Sequence, residues 1–173
     1  DRSVMDRLGF DFNWNSCFHP ETALFPQFEP EVLEQYPDGS KKMIDPNGLI
    51  VLEKPGVVSI PAEIGTSLTD RAAWEKLYLP KLQFCMERIK KEELLRIPAQ
   101  SERDLPLGLF CGSLMGEMCN LLGVEQLSYL LADDFDLYIE IIDTMCGLCY
   151  DCVRAVLDTG AEFDYAHFWE DIC

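Results

Sequence analysis

Apolar and polar positions change rhythm several times along this 173-residue chain. Residues 1–40 show no clean period. Phe10, Phe12, Trp14, Phe18, Phe25 and Phe28 are scattered among prolines, as in a long arm anchored to something larger. Residues 41–60 change character: KKMI, the turn signal DPNG and LIVLEK predict a β-hairpin in which Gly48 supplies the positive φ. GVVSIP offers a third strand. Thr69 is the expected N-cap of a helical period through DRAAWEKLYLPKLQFCMERIKKEELL, interrupted at Pro80.

From residue 105 onward the pattern is that of an α/β chain. LPLGLFCG reads as a short apolar strand, and GEMCNLLG and VEQLSYLLAD as short helical pieces. DDFDLYIEIIDTMCGLCYDCVRAVLDTG reads as one long amphipathic helix closed by Gly160, and AEFDYAHFWEDIC begins as another strand. Strand, helix, strand with apolar strands predicts that LPLGLF and EFDYAHF pair in parallel across a helical crossover.

Cys146, Cys149 and Cys152 form a C-x-x-C-x-x-C run, the spacing that opens a ferredoxin cluster motif. A cluster needs a loop that wraps around the metals, whereas here VRAVLDTG continues a helix beyond the third cysteine. Apolar positions Ile142, Met145, Cys149, Cys152 or Val153, and Val156 recur every three or four residues, and all three cysteines are expected on that core-facing stripe. Buried structural thiols are therefore the expectation, with a metal or redox site as the alternative. Eight cysteines without a secretory signal suit a reduced, cytoplasmic chain.

The formal net charge of −17 argues against nucleic acid or an anionic membrane as partner. No run approaches the roughly 20 apolar residues of a membrane span. The one basic cluster, ERIKKEELLR, is interleaved with glutamates and reads as a solvated helix face.

Four ordered stretches carry a family resemblance. They are DPNGLIVLEKPGVVSIPAEIGTSLTDRAAWEKL, LPLGLFCGSLMGEMCNLLGVEQL, YLLADDFDLYIEIIDTM and EFDYAHFWEDIC. Together they resemble the uroporphyrinogen-decarboxylase superfamily, closer to its corrinoid-dependent methyltransferases, although Phe135 stands where that family usually has Pro. The resemblance implies an α/β fold: part of a (β/α)8 barrel preceded by an N-terminal arm and β-hairpin. Residues 1–68 would be the arm and hairpin, and residues 69–173 the first part of the barrel. Such a barrel needs roughly 250 residues, so the rest is expected from further chain or from a homo-oligomer.

The implied function is methyl transfer between a corrinoid protein and a thiol acceptor, with zinc holding the acceptor as thiolate. The alternatives are cofactor-free decarboxylation of a tetrapyrrole and a catalytically silent binding domain. Arg2 and Arg7 are the only arginines before Arg71, so the arginine-rich N-terminal segment expected of the decarboxylase is missing. The family's His-x-Cys zinc motif is also missing, because neither His19 nor His167 has a cysteine two residues on; no metal ligand is assigned. His19 reads as a structural or surface residue, and His167 as an ordinary hydrogen-bonded one. The resemblance places a small-molecule substrate at the strand ends. It makes Asp171 the candidate catalytic group and Gly112, Ser113, Met115, Trp169 and Glu170 candidate substrate contacts. For the two carboxylates the competing reading is helix capping.

Overall fold

The computed structural model describes residues 4, 7–9, 17–57 and 61–170. The chain divides into two compact units, each assembled from separate stretches. Within the described residues no helix is long and apolar enough to cross a membrane.

The first unit takes in residues up to Thr22, Phe84–Ser113 and Gly147–Trp169. Its sheet has three parallel strands: β1 (Cys17–Phe18), β6 (Gly108–Phe110) and β7 (Tyr165–His167), in the order β1-β6-β7. LPLGLF and EFDYAHF therefore pair in parallel as expected, with Gly108 opposite Tyr165 and Phe110 opposite His167. Cys111 N–H extends the ladder to His167 O at 2.8 Å. The neighbour on the other side of β6 comes from the aperiodic arm.

The second unit takes in Ala23–Gln83, Leu114–Cys146 and Glu170 onward. Its sheet is an antiparallel meander of β2 (Glu31–Gln35), β3 (Lys41–Ile44), β4 (Leu49–Glu53) and β5 (Ala62–Thr66). The β3–β4 hairpin turns at DPNG. Asp45 Oδ1 accepts from Asn47 N and Leu49 N, both at 2.8 Å, and Gly48 has φ +85°. A positive φ there costs glycine little and other residues more. β4 buries Leu49 and Val51, the inward positions of its alternation. β2 has all five residues exposed, and its pairing with β3 slips between Val32 and Glu34. In GVVSIP, Val57 is exposed and outside any strand, while residues 58–60 lie outside the described residues. The strand that follows the β3–β4 hairpin is β5 instead.

These sheets correct the expected fold. The described residues form two open sheets of three and four strands, and no part of a (β/α)8 barrel. The reason lies in the connections: a barrel needs helical crossovers between parallel strands. Strands β2 to β5 run on through antiparallel pairings, and only β1, β6 and β7 pair in parallel.

The helical period after residue 69 breaks into short pieces. Asp70, not Thr69, is the N-cap, its carboxylate accepting from Ala73 N at 2.8 Å. Helix α1 (Arg71–Ala73) passes into a π-helical turn (Trp74–Tyr78), then a 3-10 turn (Leu79–Leu82) containing Pro80. Proline has no N–H to donate, so a regular helix cannot run through. The basic cluster adds the end of a 3-10 turn (Met86–Arg88) and the single turn α2 (Lys91–Leu94), and its Arg88 is buried and not on a solvated face.

Trp74 is fully buried, and its indole N–H donates to Glu140 Oε1 at 2.9 Å. Arg71 donates to the other carboxylate oxygen of Glu140. These two donors, Arg71 first, hold the Glu140 carboxyl below its ordinary pKa. A depressed carboxylate stabilises the fold above its unfolded pKa and loses that effect as pH falls through the folded value. Glu140→Gln is therefore expected to lower the melting temperature at neutral pH. The gap to the unmodified protein should close as the medium is acidified below the ordinary glutamate range. A gap independent of pH in thermal melts would rule this ion pair out as its source.

Two longer helices follow β6. Helix α3 (Met115–Asp133) is broken at Gly123, where φ is +71°, so its halves match the two short pieces read from the sequence. Thr66 Oγ1 donates to Leu121 O at 2.7 Å, tying this helix to β5 within the second unit. Helix α4 (Phe135–Leu157) begins where Asp134 Oδ1 accepts from Leu137 N at 2.9 Å, and Gly160 with φ +81° follows its end. Its buried stripe is Leu137, Ile141, Met145, Leu148, Cys149, Cys152 and Val156.

Cys149 and Cys152 lie on that stripe, whereas Cys146 is exposed, against expectation. One residue past Met145 is a rotation of about 100°, enough to leave the buried side. Burial pushes the Cys152 thiol up to about 11, so it remains protonated at neutral pH.

Candidate functional site

Parallel strands present their carboxyl ends together, and open α/β sheets place ligands there. In the first unit β1 is followed by His19, β6 by Cys111-Gly112-Ser113 and β7 by Phe168-Trp169. The aromatic ring of Phe110 sits between two imidazoles. His19 stacks on it at 4.8 Å between centroids, and His167 meets it edge-on at 5.8 Å. Residue His19 is exposed overall, yet this stacking partly desolvates its ring. Desolvation and then the nearby His167 lower the His19 pKa, with Lys90 adding to the effect and Glu21 opposing it. A lowered value leaves this imidazole neutral near pH 7, able to accept a proton.

The chain just beyond β1 is firmly held. Glu21 N donates to Arg88 O at 3.0 Å, and the buried Arg88 guanidinium returns a bond to Glu21 O at 2.7 Å. The Glu21 carboxylate pairs with Lys90 at 2.7 Å.

On β1 itself, the Cys17 thiol lies 3.5 Å from His167 Nδ1 and 3.7 Å from the Tyr165 hydroxyl. Period-two geometry explains the grouping: residues i and i+2 of a strand share a face, so Cys17 falls in with His19 and Tyr165 with His167. The paired C-x-H and Y-x-H spellings were the signal available in the sequence for this cluster. Gly108, between them on β6, leaves the space they occupy: a β-carbon there would sit 2.6 Å from Cys17 Sγ and nearer still to the Tyr165 ring.

The residues expected at the site are distributed as follows. Gly112 has φ +102° and accepts from Trp169 N at 3.3 Å, so these two do come together. Its side-chain position is already occupied: a β-carbon would run into the Cys149 sulfur. Ser113 is buried, and its hydroxyl has no hydrogen-bond partner among the described residues. In the second unit, Glu170 accepts from Leu114 N at 2.8 Å and Met115 N at 2.9 Å, one bond to each carboxylate oxygen. It thus caps the amino end of α3, and Met115 is the first residue of that helix. Asp171 lies outside the described residues.

Among the described residues no three His, Cys, Asp or Glu side chains form a group that would hold the zinc implied by the resemblance. Compared with protein-family models, with curated proteins and with solved structures, the chain matches none.

Proposed function

We propose that the chain works in methyl transfer between a corrinoid protein and a thiol acceptor, as the resemblance to the methyltransferase branch of the uroporphyrinogen-decarboxylase superfamily implies. The observation that carries this reading is the chemistry at the ends of β1, β6 and β7. Two imidazoles, a thiol and aromatic rings gather there, and the nearby cations Arg88 and Lys90 are already bonded to Glu21. A tetrapyrrole substrate carries several carboxylates and calls for guanidinium groups at such a place. A thiol acceptor calls for a base and a weakly polar surround.

In this reaction the acceptor sulfur forms a bond to the methyl carbon. The carbon–cobalt bond breaks, and its electron pair stays with the metal of the donor. The protein's part is to take the thiol proton and to keep the sulfur poorly hydrated. His19, neutral near pH 7 and exposed at the strand end, is the base.

The test mixes the purified chain with methylcob(III)alamin and 2-mercaptoethanol, and measures the methyl thioether by mass spectrometry. Thioether should form faster than without protein. His19→Gln should slow it by about 100-fold, the low end for a positioned acid–base group. A rate equal to the protein-free control would overturn the proposal, and carbon dioxide release from uroporphyrinogen would favour decarboxylation instead.

A further inference from the structure

We infer that Cys17 is a nucleophile toward soft carbon electrophiles, meaning alkyl carbons that carry a good leaving group, with His167 as its base. The inference stands apart from methyl transfer to an external thiol, because here the sulfur that reacts belongs to the protein. Nucleophilic catalysis by cysteine needs a thiol within hydrogen-bond reach of a base that is itself oriented by a third group. Each of these parts is present. Cys17 Sγ is 3.5 Å from His167 Nδ1, and the His167 ring is set edge-on against Phe110. The parallel ladder fixes the three residues, pairing Cys17 with Gly108 and Phe110 with His167.

Other polar groups about the thiol are the Tyr165 hydroxyl at 3.7 Å and the buried Cys111 thiol. Burial raises the pKa of Cys111, and its sulfur donates to Leu109 O at 3.4 Å, so it is kept protonated and otherwise engaged. Cys17 is only half-buried. A purely structural thiol would need neither an imidazole at contact distance nor a side-chain-free position on the adjoining strand to admit it. The reaction is a simple displacement. Cys17 Sγ bonds to the carbon, the leaving group departs with the electron pair, and the thiol proton passes to His167 Nδ1.

The same chain contains its own reference: Cys146, exposed on α4, is an ordinary accessible thiol. Treat the native 173-residue protein with limiting iodoacetamide near neutral pH, and follow carbamidomethylation of each cysteine by peptide mass spectrometry. Cys17 should be alkylated on the order of tenfold faster than Cys146, less than a positioned base can give because Cys17 is less accessible. In His167→Gln, shown by circular dichroism to be folded, that excess should vanish while Cys146 is unchanged. Cys17 reacting no faster than Cys146 in the unmodified protein overturns the inference, whatever becomes of the variant. So does an excess that survives in folded His167→Gln. Neither outcome depends on thioether formation with methylcob(III)alamin, so the two proposals can fail separately.

Discussion

Gly112→Ala is expected to be among the most damaging single-methyl changes available in this protein. Two penalties fall on the same atom. Residue 112 has φ +102°, a conformation costing an L-residue about 1–2 kcal/mol. The new β-carbon would also run into the Cys149 sulfur and lie 3.2 Å from its β-carbon, and overpacking of that kind typically costs about 1–3 kcal/mol. Together they make about 2–5 kcal/mol, against a total of about 5–15 for a typical domain. A fall in melting temperature of about 5–20 °C should follow at this chain length. Pairing the change with Cys149→Ala separates the terms: the double variant should relieve the clash with the sulfur but keep the backbone penalty. A melting temperature within a degree or two of the unmodified protein would show that residue 112 relaxes freely. The glycine would then be open to the ligand-approach role that its place after a strand suggests.

Trp74→Ala should cost about as much for a different reason. Trp74 is fully buried, and removing so large a side chain typically costs about 3–5 kcal/mol in lost transfer energy and cavity. Trp74→Phe keeps much of the ring volume and loses the bond to Glu140. Because Glu140 is about 40% exposed, water can replace that bond, and the expected loss is on the order of 1 kcal/mol. Urea unfolding of the two variants gives the comparison, with secondary structure as the probe because both variants lose a tryptophan fluorophore. Near-equal losses would mean that the hydrogen bond, and not packing, dominates at this position.

How much of this was legible in the sequence depended on whether the determinant was local. The DPNG turn, the stop at Gly160, the break at Gly123 and most of the stripe of α4 are each written within a few residues, and these were readable. Cys146 was placed on the wrong side because a stripe sampled every three or four residues leaves its edges undefined by one position. Strand β1 was invisible: two residues have no period, and their partner Gly108 lies about 90 positions away. For the same reason Cys17 and His167 looked unrelated, although each strand spells its half of the cluster. The barrel expectation rested on a family resemblance carried by four ordered stretches, and such an order does not specify which strands hydrogen-bond. Glu170 shows the same gap: a carboxylate after a strand suggested a substrate contact or a cap on a later helix, yet it caps a helix that begins about 55 residues earlier.

Strand β2 has a consequence for behaviour at high concentration. Among the described residues it is an outer strand of the meander, with a ladder partner on one side only, and it leaves Val32 and Leu33 exposed. An open, flat, apolar rim is an invitation to strand-by-strand growth into aggregates. Here the invitation is withdrawn twice. Glu31 and Glu34 place negative charges along the strand, and the slip between Val32 and Glu34 spoils the straight register that an incoming copy would need. A second molecule approaching that rim, itself at −17, meets like charge and a mismatched ladder, so the sheet's own boundary serves as its guard against self-assembly.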